Sequence, residues 1–191
     1  MPKIALASAS PRRRELLSQL GVEFELVRGD IDETQLPGEA ATAYVLRLAQ
    51  QKAAAGLAAQ QTTAPLPTLG ADTIVVVDGE VLGKPADQTD FLRMMQLLSN
   101  RQHQVYTAIA LATPDQIWSN TVKTDVWFSE ISPQQMLDYW HSGEPADKAG
   151  GYGIQGLAGC FIPKINGSYF AVVGLPLYET AQLLNKLQDK Q

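Results

Sequence analysis

The chain has 191 residues, 45% hydrophobic and 18% charged, enough to bury a core as a single domain over residues 1–191. Its net charge of -5 gives a surface that repels polyanions and argues against a nucleic-acid partner. One cysteine, Cys160, excludes an internal disulfide and, with only His103 and His141, a familiar structural zinc site; no apolar stretch approaches membrane-spanning length, so the expected compartment is the cytoplasm, with no membrane partner.

Lys3 to Ala7 reads as a short buried strand, and Ser10-Pro11 opens a helix to about Leu20, with serine as N-cap and proline at its first position. A second strand is expected over Phe24 to Arg28, then an acidic turn from Asp30 to Glu33 and a helix from about Ala40 to Ala59. After a loop over Gln60 to Pro67, Thr73 to Val77 is the next strand, with Asp72 at its entrance and Asp78-Gly79 closing a hairpin. Asp87 can cap a helix that carries Phe91, Met94, Met95 and Leu98 at helical spacing. Val105 to Ala112 and Ile117 to Phe128 have the β-branched and aromatic content of antiparallel strands, and Ser132-Pro133-Gln134-Gln135 is a capping box. Asp147 to Gly159 holds five glycines without periodicity, which suggests backbone brought close to a ligand. Asn166-Gly167 is the strongest hairpin signal, between Phe161 to Ile165 and Tyr169 to Val173, and a last helix follows Pro176. Strands and helices that do not strictly alternate point to an α/β protein with a mixed, twisted sheet and flanking helices.

Three clusters could carry chemistry. Ser8, Ser10, Arg12, Arg13 and Arg14 surround a strand-to-helix junction, where backbone N–H groups and the helix dipole favour a phosphate; an N-cap serine and a basic helix face also occur without ligands. Arginines in a first helical turn oppose the dipole, which makes sense where an anion is bound. Asp72 beside Thr73 is costly at a buried strand unless bonded, paired or on a metal, although such an aspartate commonly bonds only local backbone. Asp32 and Glu33 add carboxylates, and Lys52 and Lys84 could neutralise phosphate, each with an ordinary reading as a solvated surface group. In Gly150 to Gly156 the Gly-Lys-Ser/Thr ending of a P-loop is missing, and Gln155 could read a nucleobase edge by donating and accepting hydrogen bonds. Cys160 reads as a small buried hydrophobe.

Leu6-Ala7-Ser8-Ala9-Ser10-Pro11-Arg12-Arg13, Asp32-Glu33, Lys52-Ala53, Gly70-Ala71-Asp72-Thr73, Gly83-Lys84-Pro85, Asp147-Lys148-Ala149-Gly150, Tyr152-Gly153-Ile154-Gln155-Gly156 and Val173-Gly174-Leu175-Pro176 resemble, in order and over nearly the whole chain, the Maf family of nucleotide pyrophosphatases. The resemblance implies an elongated α/β fold related to inosine triphosphatases, two lobes around a central cleft, and a divalent metal, Mg²⁺ or Mn²⁺. It further implies that Asp72 is the catalytic acidic residue and that Arg12, Thr73 and Gln155 set substrate choice, in the pattern of the dTTP/UTP branch rather than the methylated-GTP branch. Asn100, where the family usually has glycine, and Phe91-Leu92, in place of a Glu-Ala pair, depart from the pattern.

The expected reaction is hydrolysis of dTTP and UTP to the monophosphate and pyrophosphate, with a house-cleaning role on modified pyrimidine nucleotides. Ser8, Arg12, Arg13, Lys52 and Lys84 would hold the triphosphate, Glu33 and Asp72 a metal, and Thr73 and Gln155 the base. A regulatory cell-division protein and a non-catalytic nucleotide sensor are the alternatives, and a homodimer is possible.

Overall fold

A computed structural model describes residues 2–188. In chain order it contains β1 (Ile4–Ala7), α1 (Pro11–Gln19), β2 (Phe24–Leu26), α2 (Ala41–Ala58), β3 (Thr68–Val77), β4 (Glu80–Leu82), α3 (Gln88–Leu98), β5 (Gln102–Ala112), β6 (Ile117–Trp127), α4 (Pro133–His141), β7 (Lys164–Asn166), α5 (Tyr169–Val173) and α6 (Leu177–Asn185), with short 3-10 turns between α4 and β7. Seven strands form one mixed sheet in the order β2-β1-β3-β5-β6-β7, and β4 pairs with β3 off that path. β1 runs parallel to β2 and β3, whereas β3–β4 and β6–β7 are antiparallel. The expected mixed α/β sheet with flanking helices is therefore present.

The chain divides into two compact units. One comprises the described residues up to Asp72, Thr107–Val122 and the residues from Gly174 onward; the other comprises Thr73–Tyr106 and Lys123–Val173. The first unit is built on β1, whose four residues are all buried. Short side chains let α2 lie close against this layer: a Cβ on Gly56 would come within 2.6 Å of the Ala7 Cβ, and one on Gly70 within 2.5 Å of both Ala49 O and Ala53 N. The second unit has a core of Val75, Phe91, Met94, Met95, Leu98, Phe128, Tyr139, Tyr152 and Phe161 among others. Phe91 is fully buried and stacks obliquely with Trp140 at 5.2 Å between ring centroids. Burying such a ring contributes about 1.5–3 kcal/mol.

Several local signals act as their chemistry requires. Asp87 accepts from the Asp90 N–H, Ser132 and Gln135 form a reciprocal capping box, and Asp78 and Gly79 both take positive φ in the β3–β4 turn. Asn100 has φ 57°, a left-handed conformation that asparagine tolerates better than most other residues with a Cβ.

Three expectations fail. β3 begins at Thr68, so Asp72 lies inside a strand and not at its entrance; the pairing of Ala5, Leu6 and Ala7 with Thr68, Leu69 and Gly70 extends it. Asn166-Gly167 does not close a hairpin: β7 pairs with β6, and Tyr169–Val173 is helical, with Ser168 Oγ accepting from Ala171 N as a cap would. Ser10 occupies the N-cap position of α1, but its side chain makes no capping bond.

Candidate active site

Within the first unit, the β1–α1 junction fixes Ser8 and Arg13. Ser8 Oγ accepts from Ser10 N at 3.2 Å and from Arg13 Nη1 at 3.3 Å, and Arg13 Nε donates to Gly174 O at 2.9 Å. The guanidinium is thus held from both ends of the chain. Burial pulls its pKa below the usual arginine value, Asp72 and Glu33 oppose that shift, and neighbouring Arg12 reinforces it.

Asp72 follows Gly70 on the same face of β3, because strand side chains alternate, and that face is the one α2 covers. Asp72 is 7% exposed. From α2, Lys52 Nζ reaches Asp72 Oδ1 and Glu33 Oε1, each at 2.7 Å. Burial raises the Asp72 pKa above the ordinary aspartate value; Lys52 and then Arg13 work against it, while Glu33 adds to it. Removing an uncompensated buried carboxylate from water costs several kcal/mol, so these cations are what keep a charged Asp72 tolerable.

Glu33 sits on a loop that α2 also holds. Tyr44 Oη donates to Glu33 O at 2.7 Å, Arg47 Nη2 donates to Thr34 O at 3.0 Å, and Asp32 Oδ1 accepts from Thr34 N at 2.9 Å. Arg47 further grips Glu39 with a fork, Nε to Oε1 at 2.6 Å and Nη2 to Oε2 at 2.8 Å. Tyr44 and Arg47 were not among the candidates from sequence. The available signal was position: Tyr44, Arg47 and Lys52 fall at i, i+3 and i+8, one face of a helix.

The first unit thus brings together Ser8, Arg12, Arg13, Glu33, Lys52 and Asp72 on adjoining elements, cationic side chains around two carboxylates. Thr73, Lys84 and Gln155 belong to the second unit. Lys84 is exposed beyond β4, next to Gly83, whose carbonyl accepts from Gly150 N at 2.9 Å; Gln155 is exposed in a turn of the glycine segment. Two of that segment's glycines have a packing reason: Gly150 and Gly151 have φ near 70°, and a Cβ on them would meet Val75 and Phe91. Cys160 is exposed, contrary to the expected buried hydrophobe.

Among the described residues no three His, Cys, Asp or Glu side chains converge as an all-protein metal site. Two carboxylates gathered on one ammonium are nevertheless a suitable donor set for Mg²⁺ or Mn²⁺, which take one or two carboxylates and complete their shell with water and substrate phosphate.

Residues 3–187 match the family model described as Maf-like protein. The chain belongs to the Maf family. Curated Maf relatives are similar over nearly their full lengths. The dTTP/UTP pyrophosphatase of Pseudoalteromonas translucida is 56% identical, covering 95% of either chain. That of Vibrio vulnificus is 53% identical, over 97% of this chain and 99% of its own. That of Shigella sonnei is 54% identical, over 100% and 98%. The solved Staphylococcus aureus Ham1 protein is a much looser likeness, 16% identical over 69% of this Maf chain and 72% of its own, with a TM-score of 0.43. None of the described helices is long and apolar enough to cross a membrane.

Proposed function

We propose that this Maf protein is a nucleoside triphosphate pyrophosphatase that hydrolyses dTTP and UTP to the monophosphate and pyrophosphate. The observation that carries the reading is the Lys52 ammonium shared by Asp72 and Glu33, with the partly buried Arg13 guanidinium in electrostatic reach of both carboxylates. The names of its close relatives supply the substrates. Arg12, Arg13, Lys52 and Lys84 neutralise the triphosphate, and Ser8 orients Arg13 towards it. Asp72 and Glu33 would hold a divalent cation, which would supply charge neutralisation at the phosphate oxygens. The oxygen of water attacks the α-phosphorus, the bond from that phosphorus to the α,β-bridging oxygen breaks, and pyrophosphate leaves with the bond's electron pair. Asp72 accepts the water's proton or, in the other role open to it, only positions the metal. Thr73 and Gln155 read the pyrimidine.

The test is pyrophosphate release from each canonical nucleoside triphosphate and from methylated GTP, with Mg²⁺ or Mn²⁺ and without either, for the wild type and Asp72→Asn. Turnover concentrated on dTTP and UTP, dependent on metal and reduced by about 10²–10³ in the variant, is expected. Turnover of the variant equal to wild type removes Asp72 from the chemistry, and preference for methylated GTP overturns the assigned pyrimidine site.

A further inference from the structure

Gln155 stands in a tight turn, and both ends of that turn hang on one hydroxyl–carboxylate pair, the buried Tyr139 hydroxyl and the partly buried Glu144 carboxylate. On the upstream side, Gly153 N donates to Tyr139 Oη at 3.1 Å; on the downstream side, Leu157 N donates to Glu144 Oε2 at 2.9 Å. The two anchors are themselves joined, Tyr139 Oη donating to Glu144 Oε1 at 2.8 Å. Inside the turn, Gly156 N bonds Gly153 O at 3.1 Å. A closed ring of hydrogen bonds therefore runs from α4 through Glu144 to both flanks of Gln155 and back.

The fit allows no added atom. A Cβ on Gly156 would run into both carboxylate oxygens of Glu144, and one on Gly153 would come within 2.8 Å of the Lys148 Cε. Lys148 also pins the other end of the latch, its Nζ donating to the Glu144 carbonyl at 2.6 Å. Tyr139 is 3% exposed and its ring packs against Phe91 and Phe161, so the hydroxyl is fixed in place. Glu144 uses each carboxylate oxygen as an acceptor for a different partner; an amide has one acceptor oxygen, so it can keep both contacts only by reversing the bond to Tyr139 Oη, which then gives up donating to residue 144.

We infer that Glu144, with Tyr139, is a positioning residue for base selection: the carboxylate latches the Gly153–Leu157 turn and so fixes where Gln155 meets the nucleobase. The inference rests on the proposed nucleotide pyrophosphatase reading. Uracil and cytosine differ at the edge Gln155 would meet, and a mobile amide can turn to suit either, so loosening the turn erases the difference.

The experiment uses the full chain as wild type, Glu144→Gln, Tyr139→Phe and Gln155→Ala, with two readouts: kcat and KM on UTP, dTTP and CTP, and hydrogen exchange of the peptide covering Gly153 to Leu157. Both latch variants keep the side-chain shape, so folding is preserved. The expected result is faster exchange in that peptide in both, KM for UTP up about tenfold with kcat falling less than about threefold, and the UTP-to-CTP preference reduced about tenfold. Unchanged exchange overturns the latch. Faster exchange with an unaltered UTP-to-CTP preference overturns its role in selection. Loss of preference in Glu144→Gln but not in Gln155→Ala overturns the inference, because the turn then acts on selection through a residue other than Gln155; absence of turnover in wild type refutes the underlying function, while the exchange result still decides whether Glu144 holds the turn.

Discussion

Lys52 donates from Nζ to Asp72 Oδ1 at 2.7 Å across the contact between α2 and β3, and the same ammonium lies 2.7 Å from Glu33 Oε1. Burial drives the Asp72 pKa up and Lys52 is the strongest group resisting it. The folded protein thus binds this proton more tightly than the unfolded chain, so ionising Asp72 costs stability as pH rises from 3.8 through the raised value. With Asp72 in its proposed role as base, activity needs the ionised form, so in the metal-free enzyme the acid limb of kcat/KM is expected above the ordinary aspartate range. Lys52→Met is expected to move that limb to higher pH as well as lowering kcat/KM by more than about tenfold. A pH–rate profile with an unmoved limb would show that Lys52 does not govern Asp72.

The spacing of that pair is set by an absence of side chain. Gly70 lies one strand repeat before Asp72, and its missing Cβ lets β3 approach the backbone of α2 at Ala49 and Ala53. The obstructing atoms are main chain, so Gly70→Ala must push the helix away. Its cost should reach or exceed the about 1–3 kcal/mol typical of overpacking, with kcat/KM reduced at temperatures where the variant is folded. Thermal denaturation with assay on the same sample checks this; full activity in a destabilised variant would separate packing from the Lys52–Asp72 geometry.

Arg47 holds the Glu33 loop through its fork on Glu39, whose carboxyl its hydrogen bonds hold down to about 2. A depressed carboxylate contributes stability that is present above pH 4.5 and lost as pH falls towards about 2. In Arg47→Met this acid-sensitive contribution should vanish, and KM should rise as Glu33 loses its support. Urea unfolding at pH 7 and pH 3 reads the first effect: an equal stability loss at both values contradicts it.

In the second unit, His103 is fully buried, with Nε2 2.6 Å from Tyr152 Oη and its ring edge-on to Phe128. Burial lowers its pKa to about 4, with Arg101 adding to the shift. The unfolded chain takes up this proton first, so stability is complete above pH 6.5 and falls by about 3 kcal/mol as pH drops to about 4. His103→Gln should be less stable at pH 7 but flatter across that interval. Denaturation midpoints at pH 7.5, 6 and 4.5 measure the slope, and parallel curves for the two proteins would assign the acid sensitivity elsewhere.

Sequence was most informative where one residue type does a local job. Asp87, the Ser132–Gln135 box and Asp78-Gly79 satisfy or turn nearby backbone, and each acts as its chemistry predicts. It misled where a distant strand decides. Thr68 to Gly70 lack β-branched density beyond Thr68, yet pairing with β1 makes them strand; Asn166-Gly167 favours a hairpin, yet β7 finds its partner in β6. The candidate site divides the same way. Arg13 and Asp72 are visible in sequence as charged groups in costly places, and Ser8 and Lys52 through the family resemblance, but Tyr44, Arg47 and Glu144 are ordinary surface-type residues until the chain folds them against a loop.

The hydrogen bond from Arg13 Nε to Gly174 O joins residues 161 apart in the chain. During synthesis, then, the first unit waits: its opening segment emerges early, but the strand residues Thr107–Val122 and the closing segment from Gly174 must follow before this arginine can be oriented. A nascent chain would carry nearly every side chain of the candidate site while lacking the carbonyl that aims one of them, so the orientation of Arg13 should arrive late, once Gly174 has left the ribosome.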